Sequence, residues 1–413
     1  MLHQMSEGAN EHLNTGVRTG YIGFDPTAPS LTLGNYVQIM ILRLFQLSGH
    51  RPIVLMGGAT GRIGDPSGKD KERDLKPIEE LEANIERQQK QVQKFLDFGA
   101  GSNGARLYNN YDFYKNMDVL SFLRNVGKTL TVNYMLSKES VQKRLDTGIS
   151  FTEFSYQLLQ AYDFQCLYNK FGCTVQMGGS DQWGNITAGT EFIRRNLGEK
   201  AHAITTPLLT KTDGSKFGKS EQGNIWMDAE MTSPYKFYQF WINAADTDIP
   251  LFTRYFTLKQ RAEIEAVEKE HANNPQALKR LLAGELTVRV HSQEAFESVQ
   301  KVSELLFNSR ASKETLLQLS SNELATVVEE IPSFTIQKDA LAAGVSIVDL
   351  LTELAPITAS KGEARRAIIG QAVSVNKEKI QDPESSISHE SLLHGRYIMI
   401  ENGKKNKFML VAK

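Results

Sequence analysis

The apolar positions change period several times along the chain, and the changes predict strands alternating with helices. Gly20-Tyr-Ile-Gly-Phe24 reads as a strand end, Asp25-Pro26 and Pro29-Ser30 mark turns, and residues 33–45 repeat apolar side chains at helical spacing. Residues 51–56, RPIVLM, predict a second buried strand, and residues 77–98 a charged amphipathic helix. Helical spacing returns over 155–164, and CTVQM at 173–177 predicts a further strand. From 233 to about 320 the pattern is helical. It loosens near Ile331-Pro-Ser-Phe334, which predicts a linker. Beyond it, Ser360-Lys-Gly-Glu363 predicts a capping box opening a helix, and residues 372–380 a hairpin. The expected class is α/β, followed by helices and a small α+β tail.

A length of 413 residues with 40% hydrophobic positions divides this pattern into domains over 1–230, 231–330 and 340–413. A net charge of −1 confines any nucleic-acid contact to local basic patches. Cys166 and Cys173 lack CxxC spacing, which argues against a zinc site or a disulfide framework and fits a reducing compartment. No protein-bound metal is expected. The polar N-terminal stretch and the absence of any run of membrane-spanning length predict a cytoplasmic protein with no membrane partner.

Four loops offer chemistry. The first strand feeds a helix start, whose free N–H groups suit a phosphate, although many α/β proteins carry such a turn and bind nothing there. The loop after residue 56 fits neither the P-loop nor GxGxxG; its glycines allow a tight backbone path, and Asp65 is a ligand-facing carboxylate. Lys69, Lys71 and Arg73 then form either a solvated charge run or a polyphosphate contact. Tyr156, Gln160 and Asp163 share one helical face, which is either solvent-exposed or shaped to recognise an amine or a phenol. In Gly178-Gly-Ser-Asp-Gln-Trp-Gly-Asn185, Asp181 and Gln182 suit ribose hydroxyls, and Lys216 and Lys219 sit on a loop able to close over a triphosphate.

The Gly-Phe-Asp-Pro-Thr turn with Thr32-Leu-Gly-Asn35 resembles the first signature of class I aminoacyl-tRNA synthetases, and Lys216-Phe-Gly-Lys-Ser220 resembles the second. With GGATGRIGDPSG, TEFSYQLLQAYDF and GGSDQWGN, the chain resembles bacterial-type tyrosyl-tRNA synthetases over nearly its whole length. The resemblance implies a Rossmann-like catalytic domain, an α-helical anticodon-side domain and a small ribosomal-protein-like RNA-binding module. It implies activation of tyrosine by ATP accompanied by magnesium, transfer to tRNA(Tyr), and a homodimer joined through residues 111–155.

Carried over by residue, Tyr21 and Asp163 hold the phenol, Asp65, Tyr156 and Gln160 the α-amine, and Gln182 lies at the amino-acid end of the adenylate. Asp181, with the backbone at Gly179, holds the ribose. Thr27 and the first signature, including Gly23, Asp25 and Gly34, meet the phosphates. Lys69, Arg73, Lys216 and Lys219, with Ser220 beside them, close on pyrophosphate. In the last segment Lys361, Arg365, Arg366 and Lys377 are the expected RNA contacts, joined by Lys404, Lys405 and Lys407.

Thr32 and Asn35 stand where the family's first signature has histidines, and Ile22 where a small residue is usual; the Thr32 hydroxyl is expected to contact the triphosphate instead. The Thr-Leu-Gly-Asn-Tyr wording is similar to the tryptophanyl branch. A tryptophan-activating relative, or a paralogue that binds RNA or a nucleotide without catalysis, is therefore the alternative. Family members usually have a helix before the first strand, and this chain begins close to that strand.

Overall fold

In a computed structural model of the chain, the structure describes residues 1–67, 74–99, 101–146, 148–220, 223–308, 310–403 and 406–413. These form two compact units, one of residues 1–232 and 240–282 and the other of residues 233–239 and 283–413.

The first unit is built on a six-stranded sheet: β1 (Gln4–Met5), β2 (Thr19–Phe24), β3 (Arg51–Met56), β4 (Arg106–Asn109), β5 (Cys173–Gly179) and β6 (His202–Thr206), in the order β1-β6-β5-β2-β3-β4. β2 to β6 are parallel, and β1 pairs antiparallel along the outer edge of β6. Strands covered on both faces read as continuous apolar runs, and Pro52–Met56 of β3 are all buried. From β2 the order runs outward through β3 and β4 on one side and through β5 and β6 on the other. A crevice therefore opens at the carboxyl ends of β2 and β5, the switch point where open α/β sheets bind ligands.

Two helices aim side chains into that crevice. Leu33–Leu47 starts at Thr32, whose Oγ1 accepts the Asn35 N–H at 3.4 Å while Asn35 Oδ1 accepts the Thr32 N–H at 3.0 Å. Phe151–Phe171 runs from the Ser150 cap to Gly172, whose φ of 60° is left-handed and ends the helix without Cβ strain. The helix expected over 77–98 is Ile78–Val92. The turn after it is held by Gln46, whose amide donates to the Asp97 and Asn103 carbonyls at 2.7 and 3.1 Å.

The second unit departs from the sequence reading. Ser333–Ile336, expected as a linker, is a strand paired parallel with Asn406–Ala412 in a five-stranded sheet completed by Val373–Val375, Glu378–Lys379 and Tyr397–Asn402. Nor does the chain divide between 330 and 340. Val302, Leu305, Leu324 and Val327 of the helices share one core with Met399 and Met409 of the sheet. Lys407, expected on the surface, is buried, and its ammonium donates to the Leu305 and Leu306 carbonyls at 2.6 and 2.7 Å, satisfying the last turn of helix Gln293–Phe307. The capping box at Ser360 is incomplete, because the Glu363 carboxylate takes the Ala359 N–H at 3.0 Å and not that of Ser360.

Candidate functional site

A cavity of about 630 Å³ occupies the crevice, lined by the ends of β2 and β5 and by the two helices. At its floor lie Tyr21 and Asp163, 1% and 2% exposed. Asp163 accepts from Asn110 Nδ2 at 2.9 Å and from the Tyr114 hydroxyl at 2.7 Å. Burial pushes its carboxyl up to about 7 against those two hydrogen bonds. The Tyr21 hydroxyl is buried with no partner among the described residues, and burial, reinforced by Asp163, holds its pKa well above the ordinary phenol range. Such a hydroxyl stays protonated and awaits an acceptor.

One wall is a carboxylate relay. Asp25 accepts from Thr60 Oγ1 at 2.7 Å and from the Tyr156 hydroxyl at 2.9 Å. The tyrosine's proton is therefore committed to Asp25, which leaves its oxygen lone pairs facing the cavity. A side chain at Gly57 would collide with Asp25 Oδ1 and Thr60 Oγ1, so the tight path expected of the loop glycines is used there. Asp65 is held by the Ser67 N–H (2.9 Å), by Asn185 Nδ2 (3.2 Å) and by Gln182 Nε2 (2.7 Å). Gln160 lines the same wall, so the helical face of Tyr156, Gln160 and Asp163 points inward as a unit.

The opposite end is more open. Asp181 lines it beside Gly179, and burial raises its carboxyl pKa. Gly23, Thr27, Gly34 and Asn35 line the mouth near the helix start. The Thr32 hydroxyl donates to Asn35 Oδ1 at 2.8 Å, so its proton is turned into the cap, and the Asn35 Nδ2 group is the donor on that turn. Lys216 reaches the rim; Lys219 and Ser220 are exposed on a short hairpin and do not line the cavity. Lys69, Lys71 and Arg73 lie outside the described residues, as do Lys404 and Lys405.

The lysine loop is anchored on both sides. Phe217 is buried against Phe240, Trp241, Phe252 and Phe256. The Gly218 carbonyl accepts the Ile225 N–H at 2.9 Å, and the Ile225 carbonyl accepts that of Leu33 at 3.0 Å. The two signature loops are thus joined through main chain.

Sequence reasoning missed Asn110, Tyr114, Thr60, Gln38 and Gln176. Gln38 Oε1 and Gln176 Oε1 are buried without partners among the described residues, and both residues line the cavity. Asn110 follows directly on β4, and a polar residue at the carboxyl end of a parallel strand was the available signal.

In the second unit the expected RNA contacts are largely paired. Lys361 meets Asp349 and Glu353, each at 2.7 Å, and Arg365 meets Glu384 at 2.6 Å. Lys377 is buried on Glu401 at 2.7 Å. Arg366 is exposed and has no ion pair among the described residues.

A family profile described as "tRNA synthetases class I (W and Y)" matches residues 14–308, and one described as "Tyrosine--tRNA ligase SYY-like C-terminal domain" matches residues 323–411. The tyrosine–tRNA ligase of Cytophaga hutchinsonii is 52% identical over 99% of this chain and 96% of its own length. That of Parabacteroides distasonis is 50% identical over 100% and 97%. Among solved structures, the C-terminally truncated mitochondrial tyrosyl-tRNA synthetase of Aspergillus nidulans superposes with a TM-score of 0.66 at 28% identity, covering 74% of this chain and 91% of that one. The corresponding Coccidioides posadasii enzyme gives 0.63 at 28%, over 73% and 88%. Likeness of this extent, half-identical relatives end to end and two family profiles in tandem, makes the chain a member of the class I tRNA synthetases for tryptophan and tyrosine, in the tyrosine–tRNA ligase group.

Proposed function

We infer that the chain is a tyrosine–tRNA ligase, which joins tyrosine to ATP as tyrosyl-adenylate with release of pyrophosphate and then passes the tyrosyl group to the 3′ end of tRNA(Tyr). The observation that carries this reading is the unpartnered Tyr21 hydroxyl beside the buried Asp163 carboxylate at the cavity floor. A substrate phenol accepts from the first and donates to the second. An indole N–H offers Tyr21 nothing to donate to, which favours tyrosine over tryptophan.

On this reading Asp65, Gln160 and the free lone pairs of Tyr156 receive the α-ammonium, and Gln182, held on Asp65, lies against the amino-acid end. The ribose meets Asp181 and the backbone at Gly179. The substrate carboxylate attacks the α-phosphorus and pyrophosphate leaves in line, so no side-chain nucleophile is needed. Asn35 Nδ2, Thr27 and the helix start face the phosphates, and Lys216, Lys219, Lys69 and Arg73 neutralise the charge that develops on the leaving group. ATP enters as its magnesium complex.

The protein acts in the cytoplasm as a homodimer. Val119, Leu120, Val132 and Phe151 are 73%, 77%, 61% and 75% exposed, an apolar surface within residues 111–155 that a second copy would cover. For tRNA, the exposed pairs of Lys361 and Arg365 cost little to open, and phosphates can replace their carboxylates; the buried Lys377 serves the fold.

Pyrophosphate exchange into ATP, with tyrosine, tryptophan and phenylalanine supplied separately, tests the assignment. Exchange with tyrosine alone is expected. Exchange with tryptophan, or none from the folded protein, would overturn it.

A second expectation concerns the loop anchor. Gly218 has φ 79°, and a Cβ there would lie 3.2 Å from both the Gly34 nitrogen and Leu33 Cβ. Gly218→Ala should add about 1–2 kcal/mol of local strain, lift the lysines from the helix start and lower kcat for activation about tenfold with the KM for tyrosine unchanged. An unaltered kcat would show that the loop does not need this anchor.

A further inference from the structure

Asp163 is the carboxylate on which the choice of a phenol rests, and one of its two hydrogen-bond donors, Tyr114, stands outside the cavity that the other, Asn110, helps to line. Tyr114, on the short helix Tyr111–Tyr114, does not line the cavity, yet its hydroxyl lies 2.7 Å from Asp163 Oδ1. The same hydroxyl is 2.8 Å from the main-chain carbonyl of Leu159, one helical turn before Asp163. One proton has two acceptors within reach. Tyr162 and Phe122 fix the ring, at centroid distances of 5.7 and 6.5 Å, so the hydroxyl turns about its C–O bond while the ring stays in place.

We propose that Tyr114 is a positioning residue for substrate selection: its hydroxyl is a two-position donor that holds Asp163 as an ionised acceptor for the substrate phenol and swings to the Leu159 carbonyl when Asp163 is protonated. This rests on the tyrosine-activating reading given above. Ionised, Asp163 draws the Tyr114 proton, because a hydrogen bond to a charged acceptor is the stronger of the two. Protonated, Asp163 can donate to the Tyr114 oxygen, whose own proton then goes to Leu159. Either state satisfies both the Asp163 carboxyl and the Tyr114 hydroxyl.

The groups facing Asp163 favour the neutral form without Tyr114. Tyr21 approaches from β2, Asp25 from the loop beyond it, and Tyr156, Tyr162 and Cys166 from its own helix; Asn110 and Tyr114 are the donors. Among the described residues no lysine or arginine forms an ion pair with it. Burial and Asp25 press Asp163 towards protonation, and only the two hydrogen bonds oppose them. The Tyr114 hydroxyl itself is held far above the ordinary phenol range by burial and by Asp163, so it remains a donor. Once neutral, Asp163 loses the charge that penalises a substrate without a hydroxyl, and discrimination against phenylalanine weakens.

The test is Tyr114→Phe in the full-length protein, with pyrophosphate exchange measured against tyrosine and phenylalanine from pH 5.5 to 9. At neutral pH the KM for tyrosine should rise about tenfold, with kcat changed less than about threefold. The acid limb of kcat/KM should move to higher pH, and the preference for tyrosine over phenylalanine should fall about tenfold or more. A second measurement keeps the idea testable if that variant is weakened: in an Asp163→Asn background, adding Tyr114→Phe should leave tyrosine affinity in equilibrium dialysis unchanged. A lowered kcat with KM and acid limb unmoved would mark Tyr114 as structural only and overturn the proposal. So would a further loss of affinity in the Asp163→Asn background. Absence of exchange in the unaltered protein would instead overturn the functional reading beneath it.

Discussion

Asp163→Ala is expected to lower kcat/KM for tyrosine activation by roughly 10²–10⁴-fold while leaving the protein folded. The change removes a hydrogen bond to an ionised acceptor and strands the substrate hydroxyl in a buried site, together about 3–5 kcal/mol. The fold loses little, because each partner has another contact. Asn110 Nδ2 also donates to Thr60 Oγ1 at 3.0 Å, and Tyr114 also reaches the Leu159 carbonyl. Stability should even gain at alkaline pH. The Asp163 carboxyl is raised from 3.8 to about 7 in the folded protein, so its contribution is fully present below about pH 4 and is lost as pH rises through about 7. Ionised, it costs on the order of 4 kcal/mol. Thermal melts at pH 5 and pH 8 should therefore show the substitution relatively more favourable at pH 8. Unchanged exchange kinetics with tyrosine would remove Asp163 from the phenol site.

Deleting residues 340–413 is expected to abolish tRNA charging, by about a hundredfold or more, while adenylate formation continues. The whole cavity lies within the first unit, which supports the second half of that statement. The deletion has a further cost. It strips Tyr397, Met399, Met409 and Val411 from a core that also buries Val299, Val302, Leu305, Leu316, Leu324 and Val327. Uncovering six such side chains removes about 10 kcal/mol of burial, more than isolated helices can replace. The region 293–330 should thus become sensitive to protease and lose helical circular dichroism in the truncated protein. Retained charging would show that the last segment is dispensable for tRNA. Protease resistance over 293–330 would show that those helices stand without the sheet.

Much of the first unit was legible because its signals are local. The turn at Asp25-Pro26, the helical spacing that begins at Leu33 and the shared face of Tyr156, Gln160 and Asp163 each depend on residues within two helical turns of one another. The supports of Asp163 were not legible, because Asn110 and Tyr114 lie 53 and 49 residues away in sequence and no periodicity announces them. Ser333–Ile336 was missed for the same reason. Its partners are Met409–Ala412, and a four-residue strand beside a proline carries too little alternation to declare itself. Lys377 and Lys407 misled because a lysine near a hairpin end reads as solvated. Here one neutralises Glu401 and the other closes a helix end, both chosen by tertiary neighbours.

The second unit takes in residues 233–239 as well as the chain from 283 onward, and Tyr235 packs in a core with Met399, Met409 and Val411. During synthesis the chain emerges from its N-terminus, so the first unit has its complete sheet well before those last strands exist. Tyr235 must wait, uncovered on that side, until Tyr397–Asn402 and Asn406–Ala412 have been made. The catalytic half therefore assembles while the other half still lacks the strands that close its core. Closure of the second unit is thus the later event, set by the order of synthesis.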